Sequence, residues 1–129
     1  MGKAISDVTN KGFHTYITNI YDDEGVEIYK IKLFLTNNDY IELWSYPVSN
    51  DIQIITTIDV YTPKIYFYDN IHVNSEAKDL LKKNMNFIIK TNKESNLIQW
   101  VMDTNNRIIF RCDRKKTNGR IYLIRLYWE

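Results

Sequence analysis

Two histidines, one cysteine and a late cluster of arginines are the residues of this 129-residue chain best suited to chemistry. His14 and His72, joined by one arginine, form the smallest set for a metal-free nuclease. One imidazole would serve as base and the other as acid, with a cation to hold the phosphorane charge. Their spacing, on separate predicted strands, neither supports nor opposes a shared site; the competing reading is two unrelated surface histidines. Cys112 follows Arg111 and precedes Asp113 and Arg114, and neighbouring cations favour a reactive thiolate. Strand alternation, however, turns Cys112 inward beside Phe110, where a cysteine acts as a small buried hydrophobe. The acidic run Asp22-Asp23-Glu24 lacks the spaced oxygen ligands of a calcium loop. Phosphate loops, dinucleotide fingerprints and nucleophile elbows are missing from the sequence. No catalytic residue, metal ligand or cofactor site is therefore assigned, and the chain reads as non-enzymatic.

Binding residues are better represented than reacting ones. All five arginines (Arg107, Arg111, Arg114, Arg120, Arg125) fall in the last 23 positions. Arg107 and Arg111 share one face of a predicted strand with Ile109 and Asp113. Lys115 and Lys116 sit in the following turn, and Arg125 falls on the face of Ile121, Leu123 and Tyr127. Tyr66 and Tyr68 are expected on an exposed face opposite Ile65 and Phe67. A predicted partner-binding set follows: Arg107, Arg111, Arg114, Lys115, Lys116, Arg125, Tyr66 and Tyr68. Arginine and tyrosine are the side chains that dominate protein-protein hot spots. The same residues on a sheet face could instead hold a phosphate backbone and stack bases. A sequence pI of about 7.8 is low for a dedicated nucleic-acid domain, which places a protein partner first. A plain solvated face, neutralised by acidic residues of the first half, is the third possibility. That half supplies the means: residues 1–70 hold 5 lysines and 10 acidic groups (net −5), and residues 71–129 hold 12 basic and 6 acidic groups (net +6).

Strands must position these residues, because a period of two dominates the hydrophobic pattern. Strands are predicted over Phe13–Tyr21, Val26–Thr36, Tyr40–Tyr46, Asp51–Thr62, Ile65–Ile71, Asn86–Thr91, Leu97–Asp103, Arg107–Asp113 and Arg120–Trp128. In the fourth, Ile52, Ile54, Thr56, Ile58 and Val60 are expected inward, with Gln53, Thr57 and Asp59 outward. In the last, Tyr122, Ile124, Leu126 and Trp128 are expected to face the core. With only four glycines and two prolines, turns fall to Asn and Asp. One helix is predicted over Ser75–Asn84, capped by Asn74 or Ser75, with Ala77, Leu80, Leu81 and Met85 as its apolar stripe. The expected fold is mostly β with one short helix (α+β). About nine antiparallel strands would form a curled sheet, a barrel or a sandwich, since so large a sheet must bury one face.

Length and composition (44% hydrophobic, 26% charged) fit one globular domain spanning residues 1–129. A lone cysteine allows no internal disulfide and points to a reducing compartment, hence the cytoplasm. Apolar runs are too short for a membrane span. Ile, Asn, Lys and Tyr together supply 55 residues, against two alanines, the signature of an AT-rich genome such as a phage or virus. The expected function is a protein-binding inhibitor, immunity or accessory protein of such an element, acting in the host cytoplasm. The alternatives are a nucleic-acid-binding β-domain using the basic C-terminal meander, and a small metal-free nuclease. The sequence leaves the oligomeric state open.

Overall fold

A computed structural model describes residues 14–49, 52–83, 86–94, 97–113 and 119–128. Its strands are β1 (Thr15–Tyr21), β2 (Glu27–Phe34), β3 (Tyr40–Ser49), β4 (Ile52–Val60), β5 (Ile88–Thr91), β6 (Ile98–Asp103), β7 (Ile108–Asp113) and β8 (Arg120–Tyr127). One helix, α1 (Ala77–Leu81), lies between β4 and β5. The strands follow the order β1-β2-β3-β4 in one part of the chain and β8-β7-β6-β5 in the other. Mostly antiparallel β-structure with one short helix is thus the observed class. Two compact units divide the chain. One holds the described residues up to Asp59 together with Tyr127 and Trp128; the other runs from Val60 to Leu126.

In the first unit, β1, β2 and β3 form a meander whose turns are chemically specified. The Asp22 carboxylate accepts hydrogen bonds from the backbone N–H of Glu24 (2.9 Å) and Val26 (2.8 Å). Gly25, at φ +78°, supplies the left-handed residue that lets the turn close. Between β2 and β3, the Thr36 hydroxyl donates to Asp39 (2.9 Å) and accepts from the Asp39 N–H (3.2 Å). Register then sets the faces: Ile17 lies across from Ile31, Ile31 from Leu43, and Leu33 from Ile41. Ile31, Leu33, Leu43 and Ile55 are buried and form the core of this unit. On the reverse face, Lys30 sits 5.5 Å above the Trp44 ring and 3.6 Å from Glu42, and Lys32 lies 4.7 Å above Tyr40. Long lysine stems thereby cover aromatic surface while their charged ends stay wet. Pro47, expected in a loop, lies within the longer β3.

β4 keeps its predicted phase at its end, where Ile58 packs on the core and Val60 is buried, and departs from it at its start. Ile55 is buried there, whereas Ile52 is half exposed. The run has two adjacent isoleucines, Ile54 and Ile55, so either parity offers an apolar set. Asp59 is buried on the reverse face, where it accepts a hydrogen bond from the Trp44 indole N–H (3.2 Å). A buried carboxylate is tolerated only with such donors. Removing this donor with Trp44→Phe is expected to cost about 1–3 kcal/mol, read as a lower urea midpoint at constant m. An unchanged midpoint would show that Asp59 does not depend on it.

In the second unit, Ile65–Ile71 is a tight loop and not the predicted strand, which accounts for eight strands where nine were expected. Phe67 and Ile71 exchange both backbone hydrogen bonds (2.6 and 2.8 Å) around Tyr68 and Asp69, which sit at φ +51° and +75°. Alternating Ile, Tyr, Phe and Tyr imitate a strand, but Asp69-Asn70 tolerates left-handed backbone and lets the chain reverse. The helix is also shorter than Ser75–Asn84. Asn74 (φ +82°) donates its N–H to the Ile121 carbonyl (2.7 Å), and Ile121 donates back to the Ser75 carbonyl (2.8 Å). Glu76 forms a bridge with Arg120. These bonds to β8 keep residues 74–76 out of the helix, with Glu76 extended, so the helix starts only at Ala77. Neither predicted cap serves it: Glu76 occupies that position without a side-chain bond, and the Ser75 hydroxyl accepts from the His72 N–H instead (3.0 Å). Ala77 and Leu80 are buried as the apolar stripe requires, and Met85 lies outside the described residues.

Candidate partner-binding surface

The sheet of the second unit has two unlike faces. On one, Val101, Phe110 and Ile124 lie side by side across β6, β7 and β8, with Asp103 and Ile108 in the next row. All five are buried. The chain after β4 packs on this face: the Phe67 ring meets Phe110 edge-on at 6.4 Å, and Tyr68 lies 5.9 Å from Phe110 and 6.2 Å from Phe87. On the other face, Lys90, Trp100, Arg111 and Leu123 form one row, and Ile88, Met102, Ile109 and Arg125 the next. Trp100, Met102, Ile109, Arg111 and Arg125 are each half-buried, and Ile88 is 52% exposed.

Period-two geometry produces this division, since every second residue of a strand points the same way. A β-bulge between Arg111 and Cys112 interrupts the register with β8, so that Cys112 meets Ile121. Cys112 is buried, and burial pushes its thiol up to about 12, far from a reactive thiolate. This agrees with the inward position expected from alternation.

The predicted binding residues do not form one patch. Arg111 and Arg125 share the half-exposed face, in adjacent rows. Arg107 is not on the strand as expected: it is the exposed last residue of the turn before β7, at φ +57°. Arg114, Lys115 and Lys116 lie outside the described residues. Tyr66 is 62% exposed, its ring edge-on to His72 at 5.3 Å. Tyr68, expected to be exposed, is half-buried among the aromatics of the opposite face. The loop between Phe67 and Ile71 turns it there. Tyr122 and Trp128, expected to face the core, are 48% and 43% exposed. Trp100 and Met102 were not foreseen, although they alternate with buried Val101 and Asp103 as Arg111 alternates with Phe110 and Cys112.

A polar cluster under the Tyr68 loop also escaped the sequence reading. The Tyr68 hydroxyl donates to the Asp103 carboxylate, which accepts in addition the Asn106 side-chain amide (2.7 Å) and backbone N–H (3.2 Å). Burial raises the Asp103 pKa, but the bonds from Tyr68 and Asn106 outweigh it, holding the carboxyl below its usual range. Burial first, and then the bond to Asp103, raise the Tyr68 phenol above its ordinary value. Tyr68 and Asp103 thus act as a closed acceptor–donor pair that ties the loop to β6.

His14 belongs to the first unit, its ring 5.3 Å from Phe34, and His72 to the second, its Nδ1 2.6 Å from the Val73 carbonyl oxygen. Among the described residues, no three His, Cys, Asp or Glu side chains gather as metal ligands, and no helix is long and apolar enough to cross a membrane. No known protein family, curated protein or solved structure matches the chain.

Proposed function

We propose that the protein is a non-enzymatic interaction protein that binds a protein partner through the β6–β7–β8 face of its second unit. The face of Trp100, Met102, Ile109, Arg111 and Arg125 is the observation that carries this reading. Tryptophan, methionine and arginine on a half-exposed apolar ground are the composition enriched at the centres of protein interfaces. Its mirror face is packed beneath the Tyr68 loop, so one side builds the unit and the other is left to a partner. Cytoplasmic action as an inhibitor, immunity or accessory protein of a phage or virus is the concrete form, supported by the AT-rich coding and the lone, buried Cys112.

Affinity capture from a lysate of the source or host, with and without nuclease, tests the proposal. The unmodified protein should retain one protein species after nuclease treatment. Trp100→Ala and Arg111→Ala should each weaken that binding about 30-fold or more, the effect of a hot-spot residue, with little change in melting temperature. A combined Arg114→Glu, Lys115→Glu, Lys116→Glu variant should bind almost normally. Loss of all bound material on nuclease treatment, with a steep salt dependence flattened by the triple variant, would replace this reading with nucleic-acid binding.

A further inference from the structure

The edge strands of the two units are defended very differently. In the second unit, β5 is four residues long, contains Lys90, and carries a bulge between Lys90 and Thr91. Short length, a lysine and a bulge are the devices that stop an edge strand from accepting another strand. In the first unit, β1 reads Thr-Tyr-Ile-Thr-Asn-Ile-Tyr, seven residues without charge, proline or glycine. Tyr16 is 64% exposed, Tyr21 65% and Ile17 44%, and Thr18 and Asn19 are exposed as well. Among the described residues no strand lies beyond β1.

Hydrogen-bond parity shows which backbone groups are offered. The Phe34 N–H donates to the His14 carbonyl (3.0 Å) and the Asp22 N–H to the Val26 carbonyl (2.9 Å), at the two ends of the β1–β2 ladder. Even-numbered residues of β1 therefore bond inward to β2. Thr15, Ile17, Asn19 and Tyr21 turn their N–H and C=O groups outward. We infer that this edge pairs antiparallel with β1 of a second copy of the chain, about a two-fold axis through Thr18.

That register is singled out by the sequence. It sets Ile17 against Asn19 of the second copy and Thr15 against Tyr21, so every outward-facing residue of both strands exchanges hydrogen bonds. Tyr16 then lies across from Ile20, an aromatic and β-branched pair of the kind that stabilises sheets. No like charges meet along the strand. At its ends His14 faces Asp22 of the other copy, a basic group against an acidic one. A two-fold axis makes each contact occur twice, which is how a short edge becomes a self-complementary interface.

Sedimentation velocity on the full chain should show a monomer–dimer equilibrium that shifts with concentration in the micromolar range. Asn19→Pro removes an outward N–H and spares the ladder to β2, so this variant should stay monomeric with an unchanged circular dichroism spectrum. Thr18→Lys sets two lysines face to face at the axis and should also be monomeric. Mixed with Thr18→Asp, it should dimerise again. Thr18→Cys places two thiols at a non-hydrogen-bonded pair, with Cα atoms about 4.5 Å apart, within disulfide reach. It should cross-link on mild oxidation, whereas Thr15→Cys should not. A wild-type chain that remains monomeric, whether its edge is covered by its own residues or by another protein, overturns the inference. So does a dimer that survives Thr18→Lys, or equal cross-linking through Thr15→Cys. If Asn19→Pro fails to fold, the Thr18 variants decide the matter.

Discussion

Phe110→Ala is expected to lower the stability of the chain by about 3–5 kcal/mol. Phe110 is fully buried, and rings from Phe67 and Tyr68 rest on it from above the sheet. Truncation would open a cavity under a loop whose own backbone is unfavourable, so the site has little means of collapsing. Against a total of about 5–15 kcal/mol for a native domain, this is a large share. The melting temperature should fall by about 10 °C or more. Because Phe110 points away from Arg111, partner binding at low temperature should survive. A shift of only a degree or two would mean that the Tyr68 loop does not pack as described.

The second large effect concerns Tyr68 and Asp103. Asp103→Ala leaves the half-buried Tyr68 hydroxyl without its acceptor, at a cost of about 1–3 kcal/mol, while the exposed Asn106 amide can turn to water. Tyr68→Phe removes one donor, and the two changes together should cost less than their sum, with a coupling of about 0.5–3 kcal/mol in a double-mutant cycle. The pair also fixes the pH response. Asp103 is held below the ordinary carboxyl value, so its contribution is complete above about pH 4 and is lost as pH falls further. Tyr68 is raised above the ordinary phenol value, so its contribution is complete below about pH 10 and is lost as pH climbs beyond it. Denaturant midpoints across this range should show both limbs in the wild type. Tyr68→Phe should shrink the alkaline limb, to which Tyr29 and Tyr46, also raised, contribute as well; an identical alkaline profile in that variant would contradict the assignment.

What could be read in advance was whatever local chemistry alone decides. The turns at Asp22–Gly25 and Asn37–Asp39 were legible because Asp, Asn and Gly specify reversal without help from the rest of the chain. β2 was legible as a strand because lysines alternate with apolar residues there. The start of β4 was misread because Ile54 and Ile55 satisfy both parities, while its end, with Ile58 on the core and Val60 buried, followed the alternation. The helix lost its first two predicted residues to backbone bonds with β8, more than 40 residues away. The candidate surface followed the same rule. Arg111 and Arg125 were found through strand alternation, while Tyr68 was misplaced because a loop mimicked a strand. Trp100 joined the arginines only through the register between β6 and β7.

The bonds between Asn74–Glu76 and the start of β8 also bear on how fast the protein folds. In the first unit the strand pairs close over short spans, Tyr21 meeting Glu27 and Phe34 meeting Tyr40. Such hairpins form in about 1–10 μs once their residues are present. Arg120, by contrast, must find the Asn74 carbonyl and the Glu76 carboxylate across a separation of 46 and 44 positions (120 less 74 and 120 less 76). Closing that longer loop comes before any reward from the contact. Refolding should therefore show early protection of the β2 amides from hydrogen exchange. The Ile121 amide, which bonds to Ser75, should gain its protection later, when the far end of the chain docks.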